Sequence, residues 1–333
     1  MIQSEQWNER KFGETPSYEV WYATWNHAAT GQGFWLRFVI ERDTHGHGRG
    51  EMWFARFDPH APERTFGVHR RFAAESVRSS TAPFEIAIGN SRLSNSHAHG
   101  TFDGNGHAIA FDLRWEPAER VLKFFPDLAY PLSIGSTQAL SPNARVPMTG
   151  SIVVDGERLA FDHVPFGQSH VWGTQHAFSW TWARCAEFAG ASGVIELLAA
   201  RVQRRGVTTP PLVMCTLELA GARYQFNQFR HMIRNRATWG GQRVTFSVQT
   251  TWHRLEGEWT CAPEQMVMAP YIDPDGTPVF CANTEIGEMR AVLSRRSGLA
   301  WREVQTLESH GRAHFEVGGR ERDPAVTIDH VTV

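Results

Sequence analysis

Apolar and polar positions alternate with a period of two through most of the chain. Phe34, Leu36, Phe38 and Ile40 interleave with Trp35, Arg37, Val39 and Glu41, as in a strand with two distinct faces. Val244, Phe246 and Val248 interleave with Thr245, Ser247 and Gln249 in the same way. Turn signals punctuate these runs. Asp155-Gly156 separates Ile152–Val154 from Arg158–Phe161, Ala220-Gly221 ends the Leu212–Leu219 run, and Asp273-Pro-Asp-Gly276 separates Met266–Ile272 from Val279–Cys281. Such breaks predict hairpins. The apolar run from Glu187 to Val202 is interrupted by Gly190 and Gly193, so it reads as a hairpin and not as a helix. Short strands with turns about every ten residues predict an all-β chain of barrels or sandwiches. Ser141-Pro142, Pro147 and Gly150 cluster before a new hairpin, which predicts two domains, 1–148 and 149–333.

Composition narrows the classes. The 333 residues carry 33 Lys plus Arg and 35 Asp plus Glu, a net charge of −2, which argues against a nucleic-acid partner. The N-terminal run lacks the apolar segment of a signal peptide, and no stretch approaches the roughly 18 apolar residues of a membrane span. Cys185, Cys215, Cys261 and Cys281 lie far apart and form no Cys-x-x-Cys. Reduced thiols and a cytoplasmic location are therefore expected. No phosphate loop, dinucleotide fingerprint or Gly-x-Ser-x-Gly occurs, so neither a nucleotide cofactor nor a serine nucleophile is expected. His45-Gly-His47 and His97-Ala-His99 look like metal-binding pairs. The first lies in a Gly-rich loop with few neighbours to fix it, the second is followed by His107 but by no suitably placed Glu, and sixteen His produce such pairs by chance, so no metal is expected. Nothing in the chain indicates an oligomeric state.

The chain holds 13 Trp and 21 Phe, and the densest run is 170–188. If residues 178–188 form a strand, Trp180, Trp182 and Arg184 share one face, while Ser179, Thr181, Ala183, Cys185 and Glu187 share the other. The first face suits an aromatic cavity wall with one cation. The plainer alternative is a core in which Arg184 satisfies a carbonyl or a carboxylate. His170 and His176 flank Gly173. Glu19, Trp21, Ala23 and Trp25 share another face, and a carboxyl in so apolar a setting is a general-acid candidate. Its alternative is a structural ion pair with an arginine such as Arg37. Cys281, Asn283 and Glu285 also share a face, and Glu218 interrupts the apolar strand around Leu217. Either carboxylate points into a barrel or sits on its rim. Gly33-Phe-Trp35 and Gly257-Glu-Trp259 look like the Gly-x-Trp of lipocalins, a tripeptide common by chance in so Trp-rich a chain.

The order of these pieces is more specific than any one of them. Glu19-Val-Trp-Tyr and Gly33-Phe-Trp-Leu-Arg-Phe38 are followed by Phe161-Asp-His163, His170-Val-Trp-Gly173 and Trp180-Thr-Trp-Ala-Arg-Cys185. Tyr271-Ile-Asp-Pro-Asp-Gly276 and Asn283-Thr-Glu285 close the series. The chain resembles the carotenoid 1,2-hydratase (hydroxyneurosporene synthase)/AttH-like superfamily, to which tocopherol cyclase and the lipocalin-like Diels–Alderases are related in architecture. The resemblance implies two consecutive lipocalin-like antiparallel β-barrels packed together, with a ligand pocket in or between them. It also implies double-bond chemistry on apolar, often isoprenoid, molecules without a redox cofactor. The family pattern His-Asn-Trp-Gly departs here at Val171, which replaces a polar side chain.

The expected function is a cofactor-free cyclase, hydratase or isomerase acting on a hydrophobic terpenoid, carotenoid or meroterpenoid. Glu19, Glu187, Glu218 and Glu285 are the candidate acids, with His170 or His176 as base or orienting group. Trp21, Trp25, Trp35, Arg37, Trp172, Trp180, Trp182, Arg184, Phe226 and Asn283 are the candidate substrate contacts. The same aromatic pocket also suits a non-catalytic lipid or polyketide carrier, whose inward carboxylates have ion-pair partners. A glycan-binding groove is a third reading, since Trp faces stack on sugars.

Overall fold

The structure is a computed structural model that describes residues 3–11, 15–131, 136–204 and 206–332. It is almost entirely β, as the alternation predicts. The α-helices are the short α1 (Gln3–Asn8) and α2 (Phe229–Met232). No helix among the described residues is long and apolar enough to cross a membrane.

The chain opens with β1 (Ser17–Asn26), β2 (Gly33–Arg42), β3 (Gly48–Phe57) and β4 (Phe66–Ala73). Five shorter strands follow: β5 (Val77–Thr81), β6 (Phe84–Ile88), β7 (Ser91–Ser94), β8 (His97–Gly104) and β9 (His107–Trp115). A two-residue β10 (Leu122–Lys123) precedes the long hairpin of β11 (Thr137–Val154) and β12 (Glu157–Gly173). The second half begins with β13 (Ser179–Cys185) and β14 (Gly193–Arg201), then a small hairpin of β15 (Gln203–Arg204) and β16 (Val207–Thr208). After it come β17 (Leu212–Leu219), β18 (Ala222–Gln225), β19 (Arg236–Gly240), β20 (Arg243–Gln249) and β21 (His253–Thr260). The chain ends with β22 (Val267–Ile272), β23 (Pro278–Ser297), β24 (Ala300–Gly319) and β25 (Ile328–Thr332).

Hydrogen bonding sorts these strands into two antiparallel ladders. In the first, β4, β3, β2, β1 and β12 are successive neighbours, and β12 continues through β11 and β9 down to β5. In the second, β19, β20, β21, β23, β24, β13, β14, β17 and β18 follow one another. Strand β25 runs parallel to both β22 and β4, stitching the ladders together. Among the described residues neither ladder is closed by pairing: β4 pairs with β3 and β25, β5 with β6, β18 with β17 and β19 with β20. The expected division at 148/149 falls inside β11, whose residues on both sides of it pair with β9: Met148 faces Trp115 and Gly150 faces Leu113.

Each ladder wraps its own apolar cluster. Trp21, Trp25, Phe34, Phe38 and Phe166 belong to the first, and Ala183, Cys185, Leu197, Phe246 and Trp259 to the second. A third cluster lies between the ladders and takes Tyr18, Val20, Trp35, Trp53, Trp180 and Tyr271. Strands β1 and β2 are thus buried on both faces, which is why their sequences are nearly continuous apolar runs. Close approach between elements requires glycine at particular points. The Trp180 ring lies on Gly318, where a Cβ would stand 2.1 Å from Trp180 Cζ2.

That overlap generates a prediction. Gly318→Ala should lower the unfolding free energy by about 1–3 kcal/mol through forced displacement of the indole. At Gly240 a Cβ would meet nothing within 4 Å, so Gly240→Ala should change stability by less than about 0.5 kcal/mol. Denaturant unfolding of the two variants checks the contrast.

Candidate active site

Alternation along β13 sends Ala183 and Cys185 into the core of the second ladder and Trp180, Trp182 and Arg184 toward the first. Their cross-strand neighbours face the same way. Trp182 is opposite Leu198 and Glu316, and Arg184 is opposite Glu196 and His314. The first ladder answers with Tyr18, Val20 and Tyr22 of β1, Trp35 and Arg37 of β2, and Val171 of β12. These groups enclose a cavity of about 300 Å³, a size and lining typical of sites for small apolar ligands. Phe124, Phe125 and Pro126, with Phe229 and Met232 of α2, complete the lining. Phe229 is exposed, which puts the mouth at this end.

Few polar groups reach the cavity. The Trp180 Nε1–H donates to Glu316 Oε1 at 2.7 Å. Burial raises the pKa of Glu316 above the ordinary carboxylate value, against the opposing effects of that bond and of Arg37. His176 is stacked on Tyr18, with ring centroids 4.3 Å apart, and lies 5.4 Å from Trp180. Its Nδ1 bonds Asp273 Oδ1 at 2.6 Å, and its backbone N–H donates to the same oxygen at 2.9 Å. Arg320 Nη1 donates to the other Asp273 oxygen at 2.8 Å. Burial alone would raise Asp273, but the bonds from His176 and Arg320 outweigh it and hold its pKa below the usual range. Burial lowers the pKa of His176, with Asp273 opposing. The imidazole is therefore neutral near neutral pH, with Nδ1–H fixed by Asp273 and the Nε2 lone pair available.

A second polar tier lies beyond Trp182. Arg184 donates to Thr24 Oγ1 at 3.1 Å and to the Ala144 carbonyl at 2.5 Å, and sits 3.6 Å from Glu196. Its guanidinium occupies the space a side chain at Gly167 would need. Burial pushes Glu196 up to about 7. Glu285 and His314 form a buried hydrogen-bonded pair. Burial raises the carboxyl and lowers the imidazole, each well away from its ordinary value. The His314 ring is 4.3 Å from Trp182, and Asn283 is buried with neither side-chain polar atom bonded.

The candidates read from the sequence are dispersed by the fold. His176, Trp35, Arg37, Trp180 and Trp182 line the cavity. Arg184, Glu285 and Asn283 belong to the tier behind it. Glu19 does meet an arginine, but it is Arg10, at 3.5 Å, and not Arg37. It meets His170 Nε2 at 3.0 Å and accepts the Lys11 backbone N–H at 2.6 Å, while His170 Nδ1 donates to the Trp7 carbonyl at 2.6 Å. This pair anchors α1 to the first ladder, away from the cavity. Trp21 and Trp25 fill the first core, Phe226 fills the second, and Trp172 packs with Tyr130 and Leu140. Glu187 pairs with Arg312 at 2.7 Å, and Glu218 pairs with Arg223. His47 meets Asp43 and His97 meets Asp112. No group of three or more potential metal ligands gathers among the described residues. Sequence reading missed Glu316, Asp273, Tyr18, Tyr22 and Tyr271. The two β1 tyrosines were legible as the face opposite Trp21 and Trp25. Glu316 was not, because only the pairing of β24 with β13 brings it to Trp182.

Comparison with known proteins gives a family match. The tocopherol cyclase-like family model matches residues 138–319, a span that includes His176, Trp180, Trp182, Asp273 and Glu316. An uncharacterized protein of Mycobacterium tuberculosis is 25% identical over 311 residues, covering 92% of this chain and 88% of its own length. The chloroplastic tocopherol cyclase of Zea mays is 28% identical over 177 residues, 51% of this chain and 37% of the plant protein. Two solved structures share the fold. Kievitone hydratase from Nectria haematococca gives a TM-score of 0.53 at 12% identity, covering 95% of this chain and 92% of that one. A Nitrosomonas europaea protein described as an AttH gives 0.53 at 11% identity, covering 94% and 98%.

The position of Glu19 generates a second prediction. Glu19→Ala strips a buried imidazole and a backbone N–H of their partner, and should cost about 3 kcal/mol of stability. Titration of an apolar ligand, followed by Trp fluorescence where the variant is still folded, should give unchanged affinity. A large affinity loss without a stability loss would place Glu19 in the ligand site after all.

Proposed function

Because the chain belongs to the tocopherol cyclase-like family, we propose that it is a cyclase- or hydratase-type enzyme working on an apolar, isoprenoid-like molecule by acid-initiated double-bond chemistry, with no redox cofactor. The observation that carries this reading is the pairing of functions in one aromatic cavity: a half-buried carboxyl on the cavity wall, Glu316, whose pKa desolvation raises, and a neutral histidine oriented by a carboxylate, His176.

In this reading Glu316 transfers its proton to one alkene carbon, leaving a carbocation on the other. Trp182, Tyr22 and Trp180 line the cavity, and their ring faces stabilise that charge, while the apolar walls keep bulk water from quenching it. A hydroxyl of the same molecule attacks in a cyclisation, or a single water attacks in a hydration. The oxygen then loses its proton to His176 Nε2, and solvent exchange restores both groups. Cyclisation is a net isomerisation; hydration adds the elements of water. We read the two ladders as two incomplete lipocalin-like barrels, divided at the connection between β12 and β13, with the substrate held between them. Burial suits both groups to their parts, since it favours the neutral acid and the neutral base together.

The test is turnover of a prenylated hydroquinone in D2O, followed by mass spectrometry. A cyclised or hydrated product carrying one carbon-bound deuterium supports the proposal; binding without turnover of this and related prenylated substrates would leave a carrier. Glu316→Gln should lower kcat by about 10²–10⁴-fold with ligand affinity retained. The pH profile should be bell-shaped. Activity survives above the ordinary carboxylate value of 4.5 and falls as pH rises through the elevated pKa of Glu316. On the acid side it falls as His176 protonates, below the ordinary value of 6.5.

A further inference from the structure

Arg37 stands out among the charged groups between the ladders. It is 6% exposed and lines both the main cavity and a small adjoining pocket of about 20 Å³. Among the described residues it makes no hydrogen bond and no ion pair, and its Nε is buried without a partner. Its contacts are with rings: the guanidinium carbon lies 4.1 Å from the Tyr271 centroid and 5.8 Å from those of Trp35 and Trp53. A guanidinium keeps its charge in proteins, and a buried charge without a counter-ion is costly.

The neighbouring carboxylates are committed elsewhere. Glu51 takes Arg49 at 3.0 Å and Arg71 at 3.2 Å. Asp273 takes His176 at 2.6 Å and Arg320 at 2.8 Å. Glu316 accepts the Trp180 N–H, and its burial favours the neutral form. The fold thus gives counter-charges to its other buried ions here and leaves this fork open toward the cavity, beside the unbonded edge of His176.

We infer that Arg37 receives an acidic oxygen head group, so that the ligand is amphipathic: an isoprenoid-like body against Trp180, Trp182 and Met214, and a carboxylate or acidic phenol at one end. This deepens the proposed function, resting on the same cavity as the substrate site but not on any turnover. The planar fork can donate to two oxygens at once, and its position over the rings of Tyr271, Trp35 and Trp53 is fixed by those contacts. The small adjoining pocket has room for about one water, which is enough to solvate the guanidinium's outer edge but not to replace an anion.

The test is a fluorescence titration of the intact protein with four probes: farnesoic acid, methyl farnesoate, farnesylhydroquinone and its dimethyl ether. At least one acidic probe should bind about tenfold or more tighter than its masked counterpart, and which one does so identifies the head group as carboxylate or phenol. Arg37→Met should abolish that preference while the masked probes bind as well as before. If Arg37→Met does not fold, Arg37→Lys keeps the charge and loses the fork, and should weaken the acidic probe several-fold. Equal binding of acidic and masked probes to the native protein overturns the inference, as does a preference that survives the loss of Arg37. Intact turnover with equal binding would remove the role of Arg37 alone. Failed turnover with a clear acid preference would remove the catalytic reading alone.

Discussion

Burial of β1, β2 and β13 on both faces is the constraint on which the rest depends. Each ladder has a core of its own, yet presents a second apolar face to its neighbour. The spacing between the two outer faces is graded. At one end Arg184 lies flat on Gly167 beside Thr24, and Gly33 abuts Glu285, whose carbonyl accepts from Asn26 at 2.8 Å. Two to six residues along the same strands, large rings at Tyr18, Trp35 and Trp180 line the space between the faces. The exchange of Gly33 for Trp35 along β2, and of Gly167 for Val171 along β12, therefore turns a packed interface into a cavity.

That geometry dictates the electrostatics. Charges between two sheets lose water on both sides, so each needs a partner or a shifted pKa. Arg184 and Glu196 lean on each other, Glu285 and His314 are hydrogen-bonded to each other, and Asp273 is held by His176 and Arg320. A carboxyl such as Glu316, which receives one neutral N–H donor and little else, is forced toward its acid form. The same dry setting raises the pKa of Glu316 and leaves Arg37 with only aromatic company. Low dielectric, which penalises these groups at rest, also magnifies their effect on any charge that a bound molecule develops.

What the sequence made legible follows from period two. The common face of Trp180, Trp182 and Arg184, and that of Cys281, Asn283 and Glu285, needed only alternation, and both reach the interface between the ladders. The all-β class and the hairpins at Asp155-Gly156, Ala220-Gly221 and Asp273–Gly276 were equally plain. Double burial hid the rest. With both faces of β1 apolar, nothing in Glu19–Trp25 says which set meets the cavity, and the larger rings of Trp21 and Trp25 belong to the core while Tyr18 and Tyr22 line the pocket. Glu316 lies in a twenty-residue strand with much polar sequence, and its meaning arises only from a partner more than a hundred positions away. The bulges in β23 and β11 add offsets that alternation cannot carry.

The two ladders contribute unequally to the cavity. The groups suited to moving protons, His176, Asp273 and Glu316, all lie within the 138–319 span that the tocopherol cyclase-like family shares. Tyr18, Tyr22, Trp35 and Arg37 come from the first ladder, outside it. A cavity assembled from two outer faces separates these tasks physically. Substitutions at Tyr22 and Trp35 reshape the wall without entering the ladder that carries Glu316, since β24 pairs with β13 and β23 and not with β1 or β2, whereas Tyr18 stacks directly on His176. Under the proposed mechanism, such a division would let one arrangement of acid and base serve differently shaped molecules. It also makes the first ladder the place where differences in substrate among proteins of this architecture should be sought.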